Sequence, residues 1–153
     1  MTGPDSIQAR LARPFDPAEL RRIKRLWVRH SIAEDRRDID GLVATLAKDC
    51  VYEIVPTGQR WAGHEGARAF YTELFGAFPD NAFALTEIVV GPQGVFEVAT
   101  LTGTNQGPWG GVPPSDLAVV LEVLILFPWD RTAGLFAGER IWFDRGGVGA
   151  ARP

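Results

Sequence analysis

The chain is poor in the residues that bind metals or cross-link a fold. Its 153 residues include one cysteine, Cys50, and two histidines, His30 and His64. A single cysteine cannot form an internal disulfide, and a cysteine and histidine zinc cage needs more ligands than these. We therefore expect no metal and no cofactor, and a chain of this length can bury a core that is held by packing alone.

The chain also lacks a long hydrophobic run and an excess of positive charge. Its longest apolar stretch, residues 117–129, contains Glu122 and is shorter than the ~20 residues that cross a bilayer. Residues 1–15 show no apolar segment of the signal-peptide type. Lysine and arginine number 16 against 19 aspartate and glutamate residues, so the net charge of −3 attracts no polyanion. We expect a cytoplasmic protein with no membrane partner and no nucleic-acid partner.

The composition is that of an ordinary globular domain. Hydrophobic residues make up 46% of the chain and charged residues 23%, which excludes wholesale disorder. Helix and strand signals fill the middle of the sequence and fade toward both ends. We expect a flexible leader over residues 1–15, a single domain over 16–144 and a flexible tail over 145–153.

Helix signals come first along the chain. Asp16 and Pro17 are typical of a helix start, and apolar residues then recur at helical spacing, with His30 near the same stripe. Asp38 is placed to cap a second, short helix. Gly63 precedes a third apolar pattern, which includes Tyr71.

Strand signals dominate the second half. Alternating or continuous apolar runs, separated by turn residues, predict strands over residues 50–55, 59–62, 83–90, 95–104, 117–127 and 135–143. This segregation indicates an α+β fold, with three N-terminal helices packed on one strongly curved, mainly antiparallel sheet.

Several short motifs resemble those of a known family. They are Asp38-Ile39-Asp40-Gly41-Leu42, Gly63-His64-Glu65-Gly66, Phe78-Pro79-Asp80, Gly103-Thr104-Asn105-Gln106-Gly107, Gly111-Val112-Pro113-Pro114 and Trp142-Phe143-Asp144. Over roughly residues 20 to 144, the chain resembles the SnoaL-like polyketide cyclase branch of the nuclear transport factor 2-like superfamily. The resemblance implies a cone-shaped barrel, an apolar pocket for a small hydrophobic ligand, and a homodimer. Because this fold hosts many reactions and also non-catalytic binders, it does not by itself specify a chemistry.

The resemblance also carries functional positions onto this sequence. The oxyanion tyrosine of ketosteroid isomerases falls on His30, and a second tyrosine of the same network falls on Tyr71. The general base of those isomerases falls on Ile54, and the aspartate of the cyclases falls on Ile141. Both expected carboxylates are therefore replaced by isoleucine. The aspartate that dehydratase relatives place after the first helix corresponds to Asp35.

Glu122 is a lone carboxylate in an apolar strand. If its side chain faces the interior, burial raises its pKa and the protonated acid serves as a hydrogen-bond or proton donor. If it faces outward, it pairs with an arginine across a dimer interface. Simple alternation places Val123 inward, and a bulge would exchange it for Glu122.

Aromatic residues are numerous enough to enclose a flat hydrophobic ligand. Strand alternation directs Tyr52 and Ile54 to the same face. Asn105 lies in a loop where relatives keep polar groups. The residues expected to contact the ligand are Trp27, Tyr52, Ile54, Trp61, Phe75, Asn105, Trp109 and Trp142.

The favoured hypothesis is an acid/base enzyme that cyclises or isomerises a polyketide-like or steroid-like carbonyl compound. In this hypothesis His30 exchanges the proton, Tyr71 and Asn105 polarise oxygen, and Glu122 donates if it faces inward. Two alternatives stay open. One is a ligand-binding protein without turnover, and the other is a dehydratase or hydrolase that relies on Asp35.

Overall fold

A computed structural model describes residues 6–148, which form short and long helices and one six-stranded sheet. The helices are α1 (Ile7–Leu11), α2 (Pro17–Asp35), α3 (Ile39–Val43), α4 (Gly63–Ala77) and α5 (Arg145–Val148). The strands are β1 (Leu46–Ile54), β2 (Gln59–Ala62), β3 (Ala82–Gly91), β4 (Gly94–Thr104), β5 (Ala118–Asp130) and β6 (Leu135–Phe143). The predicted α+β class is confirmed.

The sheet has the strand order β2-β1-β6-β5-β4-β3. All neighbouring strands are antiparallel except β1 and β6, which are parallel. The first strand begins at Leu46 rather than at Cys50, because Leu46 already pairs with Phe136 of β6. The mainly antiparallel sheet predicted from the strand signals is therefore present.

The predicted helix caps are formed. The Asp16 carboxylate accepts a hydrogen bond of 2.8 Å from the Ala18 backbone N–H at the start of α2, and Pro17 is the first helical residue. The Asp38 carboxylate accepts one of 2.9 Å from Gly41 at the start of α3. Each bond satisfies one of the backbone N–H groups that a helix leaves free at its first turn.

An ion pair between the buried Glu19 and the more exposed Arg131 joins the start of α2 to the end of β5. Glu19 is 2% exposed and accepts two hydrogen bonds from the Arg131 guanidinium, at 2.7 and 2.8 Å, and one of 3.0 Å from the Trp129 indole. The Arg131 hydrogen bonds hold the pKa of Glu19 below its usual range. This contact orients the long helix across the inner face of the sheet.

Both chain ends contain more structure than the flexible leader and tail that the composition predicts. Residues 7–11 form α1, and the adjoining Arg13 side chain donates to the Pro92 carbonyl. Residues 145–148 form α5, whose Val148 is fully buried. The predicted tail is therefore wrong for these four residues, because an apolar side chain docks them on the core. Residues 1–5 and 149–153 lie outside the described part of the chain.

Residues 6–148 contain neither a membrane-spanning helix nor a cluster of metal-binding side chains. No helix in this range is long and apolar enough to span a membrane. No group of three or more histidine, cysteine, aspartate or glutamate side chains in the same range is arranged to hold a metal ion.

Cys50 is expected to react slowly with thiol reagents in the folded protein. Its side chain is fully buried in β1, and burial, aided by the charge of Asp49, raises its pKa to about 11. At pH 8 a shift from 9.0 to about 11 lowers the reactive thiolate fraction about a hundredfold. An aromatic disulfide reagent should therefore label Cys50 rapidly only after denaturant is added. Equal rates with and without denaturant would contradict its burial.

Candidate active site

A small cavity lies between α4 and the inner face of the sheet. It measures about 20 Å³, which is room for about one water molecule. Its walls are apolar except for two carboxyl-bearing side chains, Glu34 and Glu139. The apolar lining residues are Phe70, Leu74, Phe83, Leu101, Trp109, Leu121, Val123, Ile125, Ile141 and Phe143.

A bulge in β6 turns Glu139 into this cavity. Between the pairs Trp129–Phe136 and Leu126–Arg140, β6 uses one more residue than β5, which reverses the alternation of its side chains. Phe136 and Glu139 are consequently both buried although they are three residues apart. Gly138 makes the bulge possible, because its φ of 114° is a conformation that other residues rarely adopt.

Glu139 is the centre of a buried polar cluster. Its Oε1 lies 2.9 Å from the Tyr52 hydroxyl, 2.8 Å from the Tyr71 hydroxyl and 3.0 Å from Nε2 of His30. The two hydroxyls are also 2.9 Å apart. We call Glu139, Tyr52, Tyr71 and His30 the Glu139 cluster. Its members come from β6, β1, α4 and α2, and each is 3% exposed or less.

The two tyrosines act as donors in this cluster. Burial raises the pKa of Tyr52 and of Tyr71 well above its usual value, and the nearby charge of Glu139 adds to the effect in both cases. Both hydroxyls therefore keep their hydrogen at neutral pH. Hydroxyl hydrogens directed at Oε1 stabilise the carboxylate form of Glu139.

Hydrogen bonds also define the orientation of His30. Thr45 donates its hydroxyl hydrogen to the Leu42 carbonyl at 2.6 Å, so the Thr45 oxygen accepts from Nδ1–H of His30 at 2.7 Å. Nε2 lies 2.9 Å from the Tyr71 hydroxyl, whose single hydrogen is donated either to Nε2 or to Glu139 and not to both. Nε2 also lies 3.0 Å from Oε1 of Glu139, so both ring nitrogens of His30 are in contact with polar side chains.

A further carboxylate, Glu97 of β4, is buried beside this region. It is 7% exposed and its Oε2 accepts a hydrogen bond of 2.7 Å from the Trp27 indole. Burial raises its pKa to about 7, against the lowering effect of the indole, and the charge of Glu139 raises it further.

The structure brings together the pair that the resemblance singled out. His30 and Tyr71 belong to different helices and meet through the 2.9 Å hydrogen bond in the Glu139 cluster. Tyr52 belongs to the same cluster, and Trp109 lines the cavity wall. Ile141, the position of the family aspartate, lines the cavity as an apolar side chain.

Other predicted ligand residues are buried or half-buried next to the site without lining the cavity. Trp27 bonds Glu97, Phe75 stacks on Tyr71 with ring centres 5.7 Å apart, and Ile54 is fully buried in β1. Asn105 is also fully buried. Its Nδ2 donates to the carbonyls of Pro113 and Val148, so it braces the loop before β5 rather than facing the cavity.

Four predicted site residues lie away from the cavity. Glu122 is exposed on the outer face of the sheet, because β5 alternates without a bulge there and Val123 takes the inward position. Trp142 is on the same outer face, with the Arg140 guanidinium 5.1 Å from its ring centre. Asp35 is exposed at the end of α2, and Trp61 is half-buried in a groove outside the cavity. We therefore remove Glu122, Trp142, Asp35 and Trp61 from the candidate site. That the outer face of the sheet forms a dimer interface stays a prediction.

Sequence reasoning missed the three carboxylates nearest the cavity, Glu34, Glu97 and Glu139. A signal existed for two of them. Gly138 inside an apolar strand is typical of a bulge, and a bulge at that point turns the next residue, Glu139, inward. Glu34 follows His30 by four residues, which places both on one helix face.

The fold and the site define a cone-shaped α+β protein that encloses a polar cluster between its helices and its sheet. The chain belongs to the SnoaL-like polyketide cyclase family, whose sequence profile matches residues 20–151. No curated protein matches the chain.

Solved structures agree with this assignment at the level of the fold. A protein from Jannaschia sp. CCS1, described as a SnoaL-like polyketide cyclase, has 24% identity and a TM-score of 0.71 over 92% of this chain and 100% of its own. AclR from Streptomyces galilaeus, described as a hydroxylase, has 19% identity and a TM-score of 0.67 over 84% and 79%. A Kribbella flavida protein described as a ketosteroid isomerase has 19% identity and a TM-score of 0.61 over 87% and 82%.

Proposed function

We propose that the protein catalyses proton transfer at the carbon next to a carbonyl group in a small hydrophobic compound, as a step of cyclisation or isomerisation. The observation that carries the proposal is the setting of Glu139. Its Oε1 is held by the cluster, whereas its Oε2 makes no hydrogen bond within residues 6–148 although the side chain lines an apolar cavity. Oε2 is thus the atom with a free lone pair for a ligand.

This setting suits a general base. The carboxylate is fixed by side chains from three other elements, so little reorganisation is needed when it takes a proton. The apolar walls exclude water, which would otherwise solvate the carboxylate and weaken it as a base. In this proposal His30 and Tyr71 are positioning residues that hold Glu139, and they do not themselves contact the ligand.

A ligand larger than a water molecule must displace part of the cavity wall. Trp109 lies in the loop between β4 and β5, next to Gly110 and Gly111, and it lines both this cavity and an outer groove of about 600 Å³. We propose that the ligand enters from this groove when Trp109 swings outward.

Glu139→Gln tests the proposed base. The probe is an acyclic diketone with a phenyl ketone at one end, a methyl ketone at the other and three methylene groups between the carbonyls. The wild type should accelerate exchange of its α-hydrogens with D₂O, measured by NMR. Glutamine keeps the size of the side chain but cannot take the proton, so the rate should fall by about 10²–10⁴-fold.

Glu122→Gln is the matched control, because it makes the same change on the outer face of the neighbouring strand and should leave the rate unchanged. Full exchange activity in folded Glu139→Gln would contradict the proposed base. A wild type that binds the probe without accelerating exchange would instead support a binding protein without turnover.

A further inference from the structure

Glu34 is the second carboxyl-bearing side chain in the cavity wall, and the helix explains its position. It is the next-to-last residue of α2 and lies one turn after His30. Residues four apart project from the same helix face, so Glu34 continues the buried stripe that carries His30 into the core. The side chain is half-buried and lines the same cavity as Glu139.

Glu34 and Glu139 differ in their partners. Within residues 6–148, the Glu34 carboxyl has no hydrogen bond and no ion pair. Burial raises its pKa well above the usual value, and the charges of Glu139, Glu97 and Asp35 raise it further. The nearby Arg37 does not compensate it, since its guanidinium lies over the Phe75 ring and donates to the Asn81 carbonyl. Glu34 therefore holds its proton more strongly than an ordinary glutamate does.

Glu34 is also in contact with solvent, because its side chain is only half-buried. Together with Phe83 it lines two surface clefts between α2 and β3, of about 300 and 180 Å³, as well as the cavity. Asp35, Arg37 and Asn81 line the first cleft, and Glu97 lines the second. A proton lost from Glu34 inside the cavity can be replaced from water on the other side.

We propose that Glu34 is a second catalytic residue of this cavity, the proton donor that complements Glu139. Ring closure between two carbonyl-bearing parts of one ligand is the reaction that the family name already implies, and the role of Glu34 in it is the new inference. The proposal rests on the proposed function, because it needs Glu139 as the base. Isomerisation by a single base returns the same proton to a neighbouring carbon and needs no second acid. Carbon–carbon bond formation between two carbonyl groups takes a proton from carbon at one point and delivers one to oxygen at another.

The protons and electrons of this step balance. Glu139 takes a hydrogen from the carbon next to the first carbonyl, and the C–H electron pair becomes an enolate. The enolate carbon forms a bond to the second carbonyl carbon, whose π electron pair moves to its oxygen. That oxygen takes the proton of Glu34. One proton then passes back from Glu139 to Glu34 through water, and the ligand has become a cyclic hydroxyketone of the same formula.

Glu34→Gln separates the two steps on the same diketone probe. Alpha-hydrogen exchange requires the base alone, so it should stay within a fewfold of wild type. The rate of ring closure to the six-membered hydroxyketone, measured by chromatography, should fall by about 10²–10⁴-fold. Glutamine still donates a hydrogen bond but cannot transfer its proton. The matched control is Glu122→Gln, which makes the same change at an exposed glutamate on the outer face of the sheet and should change neither rate.

The pH profile is a second readout. The rate of ring closure by the wild type should decrease as the pH rises and Glu34 ionises. The residual rate of Glu34→Gln should not show this decrease. Glu97, whose pKa burial raises to about 7, is retained in the variant, so a decrease caused by Glu97 would remain.

The outcomes distinguish this inference from the proposed function. Unchanged ring closure in Glu34→Gln, a parallel loss of exchange and ring closure, or a wild type that exchanges hydrogen without closing the ring would each overturn the role of Glu34. In each of these three cases, Glu139→Gln should still lose α-hydrogen exchange if the proposed base is right. Undiminished exchange in Glu139→Gln would overturn both proposals.

Discussion

Gly138→Ala is expected to destabilise the protein by about 4 kcal/mol or more and to abolish the proposed activity. An added Cβ would collide with the backbone carbonyl of Val51, which cannot rotate away as a flexible side chain would. The φ of 114° adds strain for any residue with a side chain. Relief requires removing the bulge, which would turn Glu139 to the outer face. Urea unfolding measures the stability, and α-hydrogen exchange of the diketone probe measures the activity.

Gly134→Ala is the control for this variant. Gly134 lies in the turn before β6 with a φ of 65°, and an added Cβ would have no heavy atom within 4 Å. Its substitution should cost only the backbone strain, about 1–2 kcal/mol. If Gly138→Ala and Gly134→Ala lose equal amounts of unfolding free energy, the bulge does not depend on the absence of a side chain at Gly138.

The order of helices and strands is well predicted because its signals are local. A cap such as Asp16 or Asp38 and an apolar stripe such as that of α2 act within a few residues, and the structure forms both. The strands predicted over residues 59–62 and 135–143 have the same limits in the structure. Short-range periodicity therefore determines the elements, and the family resemblance adds their arrangement.

The orientation of individual side chains is less predictable where a strand departs from alternation. Glu139 and Trp142 differ by three residues, and simple alternation would put them on opposite faces, as observed. The choice of which one faces inward depends on the bulge at Gly138. That bulge follows from the pairing of β6 with β1 and β5, a contact between distant residues that no local pattern specifies.

The charge run at the end of α2 shows a related difficulty. Residues 34–38 consist entirely of charged residues, which is typical of a solvated helix end. The helix continues through Asp35, however, and its periodicity keeps Glu34 on the buried stripe while Asp35 is exposed. The charged composition predicts exposure for the whole run, whereas the helix periodicity leaves Glu34 half-buried and Asp35 exposed.

Glu97→Gln is expected to raise the stability of the protein at alkaline pH. The folded pKa of Glu97 is about 7, above its ordinary value of 4.5, so the folded protein favours the protonated form. Its contribution to stability is fully present below pH 4.5 and is lost as the pH rises through about 7. A shift of this size corresponds to about 3 kcal/mol. Glutamine keeps an acceptor for the Trp27 indole but never ionises.

Urea unfolding of wild type and Glu97→Gln at pH 4.5 and at pH 8 measures this effect. The two proteins should be similar at the acidic pH, and the variant should be more stable by up to about 3 kcal/mol at the alkaline one. The charge of Glu97 also raises the pKa of Glu34, so its removal lowers the Glu34 pKa toward the ordinary value and adds to the gain at pH 8. Glu122→Gln, which changes an exposed carboxylate of β5, should show no such pH-dependent gain. A variant that is less stable than wild type at pH 8 would mean that the indole hydrogen bond to the ionised carboxylate outweighs the cost of burying its charge.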